Sequence, residues 1–272
     1  MHRRDLFRGK ASDRNFIEVV GRCSLAVLLL ISCVEYGHAE LPRQLSAFGI
    51  TLGESPEKVT STLGRLYSRC GVAPSIYHES EGYPAEVVAL LEIRRRTLTD
   101  CRAGPAGADV ADAISATFAH PAISPDQPLY QLDVQRTYPD VVLEKQRRIS
   151  YSFDKLRTDL IRTYGRPTQE RTEKISSTSA DLAKSLEIGQ DIRREDQLVR
   201  FLWASKGRIE ASREPLACDC GERYVRADIE ISRSLSTTPK NQFYVLLLNI
   251  FIQDAPIAAK QEIWNSQWQR GK

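Results

Sequence analysis

Hydrophobic and polar positions along this chain switch between two periods, and the switch happens twice. In Ser152–Pro167, Leu156, Leu160 and Tyr164 recur at helical spacing and predict one buried stripe. Ser152 fits the N-cap, Asp154 favours the positive first turn, Gly165 ends the helix and Pro167 prevents its restart. Ser55–Cys70 repeats the pattern with Val59, Leu63, Leu66 and Tyr67 on one face, Ser55 as N-cap, Pro56 at the first helical position and Glu57 in the first turn. Without a gap the two stretches share Ser55/Ser152, Lys58/Lys155, Leu63/Leu160, Arg65/Arg162, Tyr67/Tyr164 and Arg69/Arg166, an offset of 97 residues.

Period two, or a continuous apolar run, follows each helix. After the first come Glu86–Ile93, Ala113–Ala119 and Tyr130–Gln135, the last with Tyr130, Leu132 and Val134 inward. After the second come Leu198–Ala204, Tyr224–Ser232 and Phe243–Ile252. Tyr224–Ser232 alternates most cleanly, with Val225, Ala227, Ile229 and Ile231 against Arg226, Asp228, Glu230 and Ser232, while Phe243–Ile252 reads as a central strand covered on both faces. Phe48–Gly53 reads as a short strand or turn. The polar stretch Thr168–Gln197 reads as an insertion, with a loop at Ser176–Ser179, a short helix at Ala180–Leu186 and a solvated charge cluster at Arg193–Asp196. Ala258–Trp268 predicts a last helix, with Ile257, Trp264 and Trp268 roughly on one face. Helices and strands come in blocks, which predicts an α+β fold of two tandem helix-then-antiparallel-sheet repeats, residues 40–140 and 141–272, the second carrying the polar insertion near 168–197.

The first 39 residues have another character. Arg3, Arg4, Arg8, Lys10, Arg14 and Arg22 precede the apolar run Leu25–Ile31, and Tyr36-Gly37-His38-Ala39 offers small residues where a signal peptidase reads. The run is too short for a bilayer, so this is expected to be a signal peptide over residues 1–39 and the protein to be exported, periplasmic or secreted. Cleavage after Ala39 is the first expectation. The second is lipidation at Cys33, because Leu30-Ile31-Ser32-Cys33 has lipobox character; that lipid would be the chain's one tie to a membrane.

The exported part keeps Cys70, Cys101, Cys218 and Cys220, an even number that predicts two disulfides in an oxidising compartment. Cys70–Cys101 with Cys218–Cys220 keeps each bridge within one half of the chain, and the other two pairings stay open. The net charge of +3 over 272 residues demands no nucleic-acid partner. There is no Gly-x-Ser-x-Gly elbow, no phosphate-cradling glycine loop and no His-Glu-x-x-His, and neither a metal nor a cofactor is expected. Cys218-Asp219-Cys220 and His78-Glu79 are the residues on which a thiol-dependent or hydrolytic enzyme would have to rest. Arg94-Arg95-Arg96 and Arg147-Arg148 read as solvated strand ends. Trp264 and Trp268 are the candidates for a partner surface, although docking of their helix on its own sheet is the plainer expectation.

The Gly-x-x-Leu-Gly entry at Gly49–Gly53, the capped helix after it, and the Tyr164-Gly165-Arg166-Pro167 exit resemble small bacterial envelope modules: the tandem-repeat β-lactamase inhibitor protein fold and the short outer-membrane assembly lipoproteins. The resemblance covers one helix and its flanks in each repeat, and the first repeat has Cys70 in place of the closing proline. It implies a binding or assembly role in the envelope and carries over no functional residue. The expectation is a non-catalytic module that binds another envelope protein or envelope component; an envelope enzyme and a structural lipoprotein are the alternatives.

Overall fold

In the computed structural model the described residues are 45–67, 73–78, 87–94, 111–138, 151–175, 194–205, 222–234 and 242–270. A two-stranded ribbon, β1 (Ser46–Ala47) and β2 (Ile50–Thr51), leads into α1 (Pro56–Tyr67). Four strands follow: β3 (Ser75–His78), β4 (Val88–Arg94), β5 (Ala111–Phe118) and β6 (Leu129–Thr137). Then come α2 (Phe153–Tyr164) and β7 (Gln169–Ile175), β8 (Arg194–Trp203), β9 (Arg223–Ser234) and β10 (Tyr244–Asp254), with α3 (Ala255–Arg270) leaving directly from β10.

The last eight strands form a single sheet in the order β3-β4-β5-β6-β10-β9-β8-β7. Every neighbouring pair is antiparallel. Each block of four is an up-and-down meander, and the two meanders meet where β6 lies against β10, with Val134 opposite Ile250. The α+β class and the antiparallel pairing agree with the sequence reading. Two details correct it. There is one sheet rather than a sheet per half, and each helix is followed by four strands rather than three. The missed strands, β3 and β7, are the two edges. β3 is exposed along its whole length, and β7 carries Glu170, Arg171, Glu173 and Lys174 in its seven residues. Charge on an edge strand blocks pairing with further chains, and it also erases the apolar alternation by which a strand is recognised.

β7 therefore occupies the start of the stretch read as a polar insertion. The charge cluster there is not simply solvated either. Arg194 pairs with Asp196 at 2.8 Å within β8, and Glu195 accepts a hydrogen bond of 2.9 Å from Arg233 of β9. Ser176–Ser179 and Ala180–Leu186 lie outside the described residues, as do residues 1–39 with Cys33, all of Cys70, Cys101, Cys218 and Cys220, Glu79, Arg95-Arg96 and Arg147-Arg148.

One face of the sheet is apolar and carries both early helices. Val59, Leu63 and Tyr67 of α1 and Leu156, Leu160 and Tyr164 of α2 join one cluster with Leu91, Ile114, Val134, Phe201, Ile229 and Ile250. Leu66, which helical spacing places on the stripe of α1, is instead exposed. The boundaries of α2 are as its sequence dictates. The Ser152 hydroxyl accepts from the Lys155 amide at 3.2 Å, and Gly165 closes the helix at φ 83°, a backbone region that glycine enters without steric penalty. The Gly165 carbonyl then accepts the Trp203 indole N–H at 2.9 Å, which ties the helix end to β8. At the end of α1 the Tyr67 hydroxyl donates to Asp112 at 3.0 Å, and Asp112 is held by Arg136 through a fork of 2.7 and 2.9 Å.

Candidate functional site

Strand alternation sends the other half of each strand to the second face, which α1 and α2 leave uncovered. In β9 that half is Tyr224, Arg226, Asp228 and Glu230; in β6 it includes Gln131, Asp133 and Gln135. Register then assembles these residues into rows across the sheet. One row runs Glu92, Ser115, Asp133, Phe251, Arg226 and Leu202 from β4 to β8. The next runs Ala113, Gln135, Asn249, Asp228, Arg200 and Arg171 from β5 to β7. Between the two rows opens a hollow of about 380 Å³, lined by side chains of β4, β5, β6, β9 and β10.

Charge on this face divides in two. On the β7–β9 side it is neutralised internally. Arg226 is buried and forks onto Asp228, with bonds of 2.9 and 2.7 Å. Arg200, only 2% exposed, donates to Glu173 at 3.3 Å and stands 4.0 Å from the same Asp228. Two buried guanidiniums are thus held by carboxylates, as burial of a charge requires. On the β6 side the arrangement differs. Asp133 is half-buried and has no ion-pair partner among the described residues, and burial pushes its carboxyl above the usual carboxylate range.

A second polar string lies toward the end of the sheet where α3 begins. Gln253 donates to Gln131 at 3.0 Å and accepts from the Tyr224 hydroxyl at 2.9 Å. Burial pushes that phenol up to about 12, so it stays a neutral donor at physiological pH. Tyr224, Phe251, Leu202 and Ala204 make a small apolar cluster there, against which Ala255 packs.

Register sets Ser115 between Glu92 and Asp133, and the described lining includes no histidine, lysine or cysteine to activate a hydroxyl. No three His, Cys, Asp or Glu side chains converge as a metal site among the described residues.

The residues singled out from sequence lie elsewhere. Trp264 stacks on His120 at a ring separation of 4.2 Å, and Trp268 stacks on Trp264 at 5.6 Å. Beside them Gln261 is buried and accepts the His120 amide at 2.9 Å. α3 therefore docks on the turn that follows β5, with Trp268 still 38% exposed at the outer end of the stack. His78 is exposed on the edge strand β3, where its Nδ1 lies 3.1 Å from the Val87 carbonyl. Tyr164 is buried and donates to the Ser46 carbonyl at 2.8 Å, while Arg166 is exposed. Sequence reasoning missed Asp133, Gln135, Asn249 and Arg200. Period two does place Asp133, Arg226 and Asp228 opposite the apolar positions of their strands, so the signal for the face is present residue by residue. The signal for the hollow is not, because it depends on register across five strands. No helix among the described residues is long and apolar enough to cross a membrane.

No family model, no curated protein and no solved structure matches this chain.

Proposed function

We propose that this is an exported, non-catalytic binding protein of the bacterial envelope, built from two copies of one helix-plus-meander module, and that the second face of its sheet is the binding surface. The observation that carries the proposal is the hollow at the centre of that face, where Asp133 is half-buried with no ion-pair partner among the described residues. A group held at such a cost to folding marks a working site more often than a structural one. The duplication is supported by the ungapped match of the two helix segments. Its aligned pairs Val59/Leu156, Leu63/Leu160 and Tyr67/Tyr164 are all buried in the same cluster. The strand order, which runs symmetrically outward from β6 and β10, supports it too. Export is supported by the basic, then apolar, then small-residue order of residues 1–39. The resemblance to envelope binding modules agrees with both.

Site-specific photocrosslinking tests the reading. A benzoylphenylalanine at Gln135, exposed beside the hollow, is expected to trap one reproducible partner from envelope extracts. The same group at Arg65, exposed on α1, is expected to trap none. Adducts of equal yield from both positions, or from Arg65 alone, would sink it.

A further inference from the structure

We propose that the hollow seats an arginine side chain of a partner protein, with the Asp133 carboxylate as its counter-ion. This rests on the reading of the second face as the binding surface and names the chemistry that the face selects. Among the described residues the lining holds three carboxylates, Glu92, Asp133 and Asp228, against one basic residue, Arg226. Arg226 is already committed to Asp228 by its two-bond fork, and Arg200 also stands by that carboxylate, so among the described side chains the hollow offers an incoming anion no unengaged cation. Asp133 is the group left over, and a desolvated carboxylate gains most from a cation that arrives already stripped of water.

The surroundings select the kind of cation. Ser115 and Phe251 flank Asp133 in its row, and Gln135 and Asn249 stand in the next. That set supplies one charged acceptor, several neutral acceptors and an apolar ring wall. A guanidinium presents five N–H donors in a plane, is weakly hydrated and packs against apolar and aromatic surface, so it fits this set better than an ammonium does. A divalent cation does not fit, since three ligating side chains do not converge among the described residues. The hollow lies in the middle of a broad sheet face, with exposed Gln135 beside it and half-buried Leu247 and Glu230 in the row beyond. A protein surface can cover those rows while inserting one side chain, which is how a central anchor with a surrounding rim works.

N-acetylargininamide and its uncharged isostere N-acetylcitrullinamide are the probes, titrated against the full chain and followed by backbone amide NMR shifts. Saturable shifts at Ser115, Asp133, Gln135 and Asn249 are expected with the arginine compound and not with the citrulline compound. Asp133→Asn, nearly isosteric, should weaken binding by about tenfold or more while the remaining spectrum is preserved. Equal binding of the two probes, or unchanged binding by Asp133→Asn, would overturn the proposal. If those results came with the Gln135 crosslink intact, the carboxylate assignment would fall and the face would stand. Loss of the crosslink as well would remove both.

Discussion

Replacing Asp112 with alanine is expected to lower the stability of the fold by about 3–5 kcal/mol, the range for breaking a buried ion pair from one side. Asp112 is 2% exposed and accepts three bonds at the junction of α1 with β5 and β6: two from Arg136 and one from the Tyr67 hydroxyl. Its removal leaves a guanidinium that is largely buried, with the Phe48 ring 4.3 Å away. Attraction to that ring is no substitute for a carboxylate. The contrast is Arg162→Ala. Its pair with Asp159 at 2.6 Å is as short, but the arginine is 77% exposed, and water takes the place of the partner. There the change should stay below about 1 kcal/mol. Urea unfolding of both variants against the parent checks the pair. Similar losses for the two would mean that the Asp112 cluster is far more hydrated than its burial indicates.

Trp203→Ala should cost a similar amount, about 3–5 kcal/mol, as large-to-small changes in a core do. The side chain is 2% exposed on β8 and fills the space between Tyr164, 5.2 Å away ring to ring, and Phe201 at 5.8 Å. Its indole N–H donates to the Gly165 carbonyl, so the substitution also unties the end of α2 from the sheet. Trp264→Ala is the control, because that ring is only half-buried, on α3, and its loss should cost clearly less. Equal costs would contradict the placement of Trp203 in the main cluster and Trp264 at the margin.

The helices of this fold are legible in the sequence because their information is local. Ser152, Gly165 and the Leu156–Leu160–Tyr164 spacing state where α2 begins, ends and faces, and the structure agrees at each point. The six inner strands are legible for the same reason, since each alternates or is apolar throughout. The edges are not. β7 reads as polar insertion because an edge strand gains from charge and loses nothing by lacking an apolar side. Nor is the union of two sheets into one. It depends on β6 choosing β10, with Thr137 opposite Leu247, and nothing in either strand announces a partner more than a hundred residues away.

The candidate site divides in the same way. Alternation alone assigns Asp133, Arg226 and Asp228 to the non-apolar side. The Arg226–Asp228 fork is local, between same-face neighbours of β9, whereas Asp133's lack of an ion pair among the described residues depends on what the neighbouring strands bring beside it. The tryptophans attracted attention through residue type. Their stack on His120 depends on a turn some 140 residues earlier in the chain, which residue type cannot reveal.

The account rests on Asp133 being half-buried without an ion-pair partner among the described residues, and the pH dependence of stability tests this directly. A carboxyl whose folded-state value is raised binds its proton more tightly when folded. The fold is therefore most stable with the proton on and loses stability as pH rises from the ordinary aspartate range through the raised folded value. The groups around it are Glu92 of β4, Ser115 of β5, Gln135 on its own strand, Asn249 of β10, and Arg226 and Asp228 of β9. Asp133→Asn removes this one titration and keeps the shape. Melting temperatures of the two proteins across the acid-to-neutral range are the measurement. The variant should melt a few degrees higher at neutral pH, with the difference closing as pH falls below the ordinary aspartate value. A variant that melts lower at neutral pH, or a difference that ignores pH, would contradict the account.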